Sequence, residues 1–80
     1  MTRTYRLIKI NDKGKPKLIR TYNNIFEPTA KIKQELGLYK FQKCQINDVY
    51  DGNLKIGNIF MLEGKKIFEI QKEINWQEGE

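Results

Sequence analysis

The stretch NLKIGNIFMLEGKKIFEI, residues 53–70, holds the densest apolar run in this 80-residue chain. Apolar side chains lie on both sides of the dipeptide Glu63-Gly64, and glycine tolerates the positive φ that tight hairpin turns require. The stretch therefore predicts two antiparallel strands, over 53–62 and 65–76, that meet at this turn. We expect the rest of a small domain to fold onto them.

The second of these segments alternates between apolar and polar residues. Phe68, Ile70, Ile74 and Trp76 fall on one face, and polar side chains separate them. This period of two predicts a half-buried strand, in which neighbouring residues point to opposite sides of the sheet. A helical stripe through Ile67, Ile70 and Ile74 is the alternative that the spacing leaves open.

Residues 38–50, LYKFQKCQINDVY, fit both a strand and a helix by the spacing of their apolar side chains. The next two residues favour a strand, because Asp51-Gly52 is a strong hairpin-turn signal. A two-residue turn there would place Asp48 opposite Lys55, where the two charges attract each other. We therefore predict a strand over 38–50 that pairs with the next one.

The front half of the chain predicts a hairpin followed by a helix. Residues 3–10 and 17–23 are rich in β-favouring side chains, and the turn formers NDKGKP occupy 11–16 between them. Residues 25–37, IFEPTAKIKQELG, carry a proline where the first helical turn accepts it and end in the glycine that commonly follows a helix. We expect Ile32 and Leu36, together with Ile25 and Phe26, to form the inward-facing stripe of this helix.

Together these elements predict one α+β domain over residues 1–76, in the order β-β-α-β-β-β, with one helix packed on an antiparallel sheet. The last residues, 77–80, include two glutamates among four residues and are predicted to be a frayed acidic tail. An alternative keeps the hairpin but places after it a helix-turn-helix-like pair that turns at Gly37. Its second helix would present polar side chains to base edges, namely Lys40, Gln42, Lys43, Gln45 and Asn47.

The composition offers little for catalysis. The chain has no histidine, so it lacks an imidazole base, and its single cysteine, Cys44, has no second cysteine for a disulfide or a metal cluster. We interpret Cys44 as a small buried apolar residue and expect no enzyme activity, metal or cofactor. A nuclease that works without histidine is the enzymatic alternative. The lack of a long apolar segment predicts a soluble, cytoplasmic protein without a membrane partner.

Positive charge is concentrated near the N-terminus. The net charge is +5, and residues 1–20 carry seven Lys or Arg against one Asp. Cations bind phosphates, and tyrosines between them can stack on exposed bases. The predicted hairpin is therefore our candidate nucleic-acid site, for DNA or RNA, with a second basic patch on the helix and just after it. The hairpin set is Arg3, Tyr5, Arg6, Lys9, Lys13, Lys15, Lys17, Arg20 and Tyr22, and the second patch is Lys31, Lys33, Lys40 and Lys43.

Other interpretations stay open. Tyr5 and Tyr22 fit cross-strand packing as well as base stacking, and lysines on a hairpin also protect a sheet edge from aggregation. The lysine-, isoleucine- and asparagine-rich composition is typical of AT-rich genomes, which suits a mobile-element or phage accessory protein that binds and modulates a host protein. An apolar patch at 59–62 or a sheet edge would then be the contact, on a monomer or a weak homodimer. The alternative is that residues 59–62 form the core.

Overall fold

The computed structural model describes residues 2–75, so Trp76 and the tail predicted over 77–80 lie outside the described residues. Five strands and two helices form this part of the chain, and the predicted α+β class is confirmed. In chain order they are β1 (Thr2–Ile10), β2 (Pro16–Tyr22), α1 (Phe26–Leu36), α2 (Leu38–Lys43), β3 (Gln45–Asp51), β4 (Leu54–Leu62) and β5 (Lys65–Asn75).

All five strands form one antiparallel sheet, in the order β2-β1-β5-β4-β3. Hairpins join β1 to β2, β3 to β4 and β4 to β5, whereas the pairing of β1 with β5 connects the two ends of the chain. The helices lead from the β2 edge to the β3 edge across one side of the sheet. We call this side the helix face, which includes Leu7 and Ile70, and the other side the open face, which includes Ile8 and Glu69.

The dipeptide Glu63-Gly64 forms the predicted turn between β4 and β5. Both residues have positive φ, 54° and 76°, and Leu62 pairs with Lys65 across them. Two consecutive positive φ values fit the type I′ turn, whose twist matches that of paired strands. The two strands predicted on either side of this turn are therefore confirmed over the described residues, and the helical alternative for the last segment is wrong.

The turn between β3 and β4 lies one residue later than predicted. Asp51 pairs with Leu54 across a two-residue loop that begins with Gly52 at φ 65°. Lys55 pairs with Tyr50, two residues from Asp48 along β3, and its Nζ still lies 3.2 Å from Asp48 Oδ1. The predicted ion pair is therefore confirmed, although the register from which we inferred it was wrong.

Helix α1 begins and ends as its proline and glycine predict. The Asn24 side chain accepts a hydrogen bond from the Glu27 backbone N–H at 2.9 Å, which satisfies one of the donors that a first helical turn leaves open. At the other end Gly37, at φ 82°, donates its N–H to the Lys33 carbonyl at 2.9 Å. Positive φ is the usual conformation of the residue that terminates a helix, and glycine adopts it without strain.

The strand predicted over 38–50 is wrong for its first half, because Leu38–Lys43 form the short helix α2 and β3 begins only after it. The Phe41 backbone N–H donates to the Gly37 carbonyl at 3.0 Å, which starts a new helical turn directly after α1. The Phe41 ring then packs toward Phe60, with the ring centroids 6.5 Å apart. The spacing of apolar residues in this segment fitted a strand and a helix equally, and tertiary packing decides between the two.

The helix-turn-helix-like alternative is wrong as well. Helix α2 has only six residues, and the chain returns to the sheet directly after it. Gln45 and Asn47, which that alternative placed on a recognition helix, lie on the edge strand β3. A helix this short ends before those side chains, so the expected base-contacting row does not form.

The core lies between α1 and the helix face of the sheet. Phe26 is 80% exposed, so our expectation that it faces inward is wrong. The inward position predicted for Ile32 is confirmed, because Ile32 and Pro28 are buried and Ile25 and Leu36 pack against the core. The buried apolar cluster draws on four elements, and each of its members is 3% exposed or less: Leu7, Ile32, Phe60, Phe68 and Ile70.

The apolar run at 59–62 is divided between the two faces of the sheet. Phe60 points to the helix face and is 2% exposed, whereas Ile59 and Met61 point to the open face and are only partly buried. Strand neighbours alternate in direction, so a continuous apolar run cannot serve one core. The interpretation of this run as core is confirmed for Phe60 and wrong for the open-face residues.

Phe60→Ala is expected to lower the free energy of unfolding by about 3–5 kcal/mol, because it removes a buried ring and leaves a cavity. Phe26→Ala removes the same ring from an exposed position and should change stability by less than about 0.5 kcal/mol. Urea unfolding followed by circular dichroism measures both. Equal effects of the two substitutions would contradict the described core.

Gly57→Ala is expected to destabilise the protein by about 1–3 kcal/mol, because a well-packed site has no room for an added methyl group. Gly57 is buried on β4, and a Cβ atom built there falls on the Ile70 carbonyl oxygen. That oxygen belongs to the backbone of β5, so it cannot turn away as a flexible side chain would. Thermal unfolding of the variant tests this, and an unchanged melting temperature would show that β4 and β5 approach each other less closely.

Candidate nucleic-acid interface

The predicted hairpin forms, but the alternation of β1 divides its side chains between two faces. Arg3, Tyr5 and Lys9 point to the helix face, whereas Arg6 points to the open face. The predicted site residues therefore do not form one continuous surface. Those on the helix face and those at the hairpin tip form two separate groups.

A row of side chains crosses three strands on the helix face. Tyr5 of β1 pairs with Tyr22 of β2 and with Lys72 of β5. Residues directly opposite each other in a sheet share a face, with their Cβ atoms about 5 Å apart. Arg20 places its guanidinium carbon 5.6 Å from the centre of the Tyr22 ring. Both tyrosines are partly buried and pack against the core, so cross-strand packing is one of their roles.

Two lysines from the back half of the chain belong to the same surface. Lys72 lies beside Tyr5, and Lys55 of β4 lines the same recess as these two residues. The alternation of the last segment was a signal for Lys72, because it placed this lysine on the face of Ile70. Nothing in the sequence indicated Lys55. We define the basic surface as Arg3, Tyr5, Arg20, Tyr22, Lys55 and Lys72.

A recess of about 160 Å³ opens within the basic surface. Asn58 lines it and is 9% exposed, and its Nδ2 donates a hydrogen bond to Asp48 Oδ1 at 2.8 Å. The same carboxylate oxygen pairs with Lys55, so one lysine at the recess is partly neutralised. The other side chains at the recess are Tyr5, Ile25, Ile70 and Lys72.

The tip of the hairpin is held by its own asparagine. Asn11 Oδ1 accepts hydrogen bonds from the backbone N–H groups of Lys13 and Lys15, each at 2.9 Å. Gly14, at φ 78°, donates its N–H to the Asn11 carbonyl at 2.9 Å. Lys13, Lys15 and Lys17 are exposed at and beside this turn. The tip therefore presents three cations on a backbone of defined shape.

Two further lysines, Lys65 and Lys66, lie beside the hairpin tip and were absent from our predicted site. They line an open-face groove of about 700 Å³ together with Asp12 and Gly14 of the tip. Lys66 Nζ donates a hydrogen bond to Glu69 Oε1 at 2.6 Å, so its charge is already paired. The turn after β1 and the turn before β5 lie close together only because these two strands pair, and the sequence did not indicate that pairing.

Two of the predicted cations are engaged by carboxylates. Arg6 forms an ion pair with Glu73 of β5, and Lys9 Nζ lies 3.8 Å from a carboxylate oxygen of Glu35 on α1. Four other hairpin cations have no such carboxylate partner among the described residues. Within residues 2–75 no carboxylate forms an ion pair with Lys13, Lys15, Lys17 or Arg20.

The second basic patch lies on the helices and is separate from the hairpin. Lys33 Nζ is 5.4 Å from the centre of the Phe41 ring. Lys43 Nζ is 4.2 Å from the centre of the Tyr39 ring and donates a hydrogen bond to its hydroxyl at 2.7 Å. These contacts hold two of the lysines against α2. The other members of the patch are the partly buried Lys31 and the exposed Lys40.

Cys44 lies between α2 and β3 and is only partly buried, so its interpretation as a buried apolar residue is correct only in part. Burial raises the pKa of the Cys44 thiol, and a raised pKa leaves less of the nucleophilic thiolate at neutral pH. Its Sγ lies 3.5 Å from the Lys40 carbonyl oxygen. Among residues 2–75 no group of three His, Cys, Asp or Glu side chains is arranged to hold a metal ion.

No family model, curated protein or solved structure matches this chain. The interpretation of the site therefore depends on its own geometry.

Neither helix within residues 2–75 has the length and apolar character that crossing a bilayer requires.

The surroundings of Glu69 lower the pKa of its carboxyl group from the ordinary value. Burial alone would raise its pKa, but hydrogen bonds from Lys66 and Gln71, together with the Lys66 charge, outweigh burial and lower the pKa. A carboxylate whose pKa is lowered by folding stabilises the protein above its unfolded-state pKa. This contribution is lost as the pH falls through the folded-state value.

Glu69→Gln is expected to destabilise the protein at neutral pH by less than about 1 kcal/mol, because the ion pair with Lys66 is partly exposed. The difference from the parent protein should shrink to zero on acidification, as the parent loses the same interaction. Urea unfolding of both proteins from about pH 7 to about pH 3 measures this difference. A difference that stays constant over that range would contradict the assignment.

Proposed function

We propose that this chain is a non-enzymatic module that binds nucleic acid through the hairpin tip and the basic surface. The support is geometric: the hairpin lies at the β2 edge of the sheet, where its side chains are accessible. Phosphate contacts need cations in fixed positions, and aromatic rings beside them suit base contacts even where, like Tyr5 and Tyr22, they are only partly accessible.

One observation carries the proposal. The cations at 13–20 are exposed and form no ion pair with a carboxylate within residues 2–75. Cations on the open face differ, because Arg6 and Lys66 are paired with glutamates of β5. Cations without partners repel each other, and a polyanion relieves that repulsion while it releases counterions from the phosphates.

The salt dependence of binding tests the proposal. Neutralising five phosphates on duplex DNA should give a slope of log K against log salt of about −4.5, and about −3.5 on a single strand. The triple variant Lys15→Gln, Lys17→Gln, Arg20→Gln should lower the magnitude of the duplex slope by about 2.7. Fluorescence anisotropy at several salt concentrations measures these slopes, and circular dichroism verifies that the variant is folded.

A second triple variant is the matched control. Lys33→Gln, Lys40→Gln and Lys43→Gln remove the same charge from the helix patch, where two of these lysines contact aromatic rings. We expect this variant to change the slope by less than about 1. Equal effects of the two triple variants would mean that the protein binds through net charge alone. Absence of binding by the parent at low salt would overturn the proposal.

A second candidate function is the docking of another protein chain, and the open face favours it. Leu18 at the β2 edge is 54% exposed, and neighbouring open-face residues are only partly buried. Apolar side chains on an uncovered sheet face are typical of interaction surfaces. The apolar side chains concerned are Ile8, Ile10, Leu18, Ile59 and Met61.

Light scattering over a range of protein concentrations tests the second candidate in its self-associating form. A mass that rises with concentration, and that Leu18→Lys returns to that of the monomer, would support the open face as a contact between copies. Lys40→Ala, a surface change on α2, is the control for non-specific effects. A monomer at every concentration would leave this face without support as a self-contact.

A further inference from the structure

We propose that the recess in the basic surface accepts one unpaired nucleobase, so that the preferred ligand is single-stranded. This inference rests on the proposed function and specifies its ligand. The recess has a volume of about 160 Å³ and lies between β4, β5 and the residue that precedes α1. It combines an aromatic wall, an apolar floor, a buried amide and two cations.

The wall and the floor suit the flat, apolar face of a base. Tyr5 is held in place by its partners Tyr22 and Lys72 across the sheet. Ile70, which is 1% exposed, and the partly buried Ile25 complete the apolar lining. Base–aromatic stacking tolerates any base, because each base has a π face. These three side chains therefore provide affinity without selecting a sequence.

The buried amide of Asn58 can form hydrogen bonds with the edge of a base. It lies on the helix face opposite Ile70, in a position where an apolar side chain would add to the core. A buried polar side chain lowers stability unless hydrogen bonds compensate it. One N–H of Asn58 donates to Asp48, which leaves the second N–H and the amide oxygen for a ligand. A donor and an acceptor side by side match the exposed edge of an unpaired base, as adenine shows with its N6–H donor and N7 acceptor.

The cations at the recess match the backbone that carries such a base. Lys72 lies beside Tyr5, and Lys55 is held at the opposite side of the recess by its ion pair with Asp48. A base in the recess would leave its phosphates within the field of both lysines. A duplex keeps its bases paired and stacked, so it could contact the lysines but could not fill the recess.

Abasic single strands separate base contacts from phosphate contacts. We expect the parent protein to bind a single-stranded oligoadenylate about tenfold or more tightly than an abasic strand of equal length and charge. Anisotropy at fixed salt measures both affinities. Equal affinity for the two strands would overturn the recess proposal and leave the proposed nucleic-acid function intact. No affinity for any of these strands or for duplex DNA would overturn both.

Asn58→Leu tests the amide. Leucine has a similar size and leaves the pair of Asp48 with Lys55 in place, so the variant should fold. It should bind single-stranded oligoadenylate about fivefold or more weakly than the parent does and the abasic strand equally well, because only a base can contact the amide. Unchanged affinity of the folded variant for oligoadenylate would overturn the role of Asn58.

Lys72→Gln keeps the proposal testable if Asn58→Leu fails to fold. It should weaken binding of the intact single strand about threefold or more beyond the loss caused by Lys40→Gln, which removes the same charge from α2. Equal losses from the two substitutions would show that position 72 acts through net charge alone and would overturn its place at the recess.

Discussion

The antiparallel pairing of β1 with β5 is the constraint on which the rest of the structure depends. It joins residues as far apart in the chain as Arg6 and Glu73, which are 67 positions apart. Leu7 and Ile70 face each other at its centre, and both are buried with Ile32 of α1. Without this pairing the N-terminal hairpin would be a two-stranded ribbon, and an isolated ribbon is at best marginally stable in water. The hairpin is therefore a rigid edge of the sheet and not a flexible arm.

The same pairing sorts the charges of the two halves of the chain. Glutamates of β5 alternate with apolar residues, so Glu69 and Glu73 both point to the open face, where they pair with Lys66 and Arg6. Lys72 lies between them in sequence and therefore points to the helix face. The two glutamates of β5 thus neutralise cations on one side of the sheet, whereas Lys72 of the same strand adds a cation to the other. The basic surface results from the register as much as from the composition.

Local signals in the sequence predicted the elements that depend on local physics. The turn at Glu63-Gly64, the glycine that ends α1 and the alternation of β5 each depend on one or two residues. Features that depend on distant partners were missed. Helix α2 forms because Phe41 packs toward Phe60, and Phe26 is exposed because other residues of α1 fill the space above the sheet. Propensity cannot indicate which of two amphipathic arrangements the core will accept.

The residues of the candidate site also fall into those that local sequence signals indicated and those that depend on distant strand pairing. Charge clustering indicated the hairpin cations, but only the strand register brings Lys55 and Lys72 to the tyrosines. One feature of the sequence pointed to the recess, but neither strand propensity nor turn chemistry explains it. The dipeptide Gly57-Asn58 interrupts the apolar stretch over 53–70. Glycine and asparagine both weaken a buried strand. They line the recess, where a glycine lets β5 approach closely and an asparagine offers hydrogen bonds. Departures from local rules are expected where a structure serves function as well as stability, and here they coincide with the recess that Tyr5 and Lys72 line.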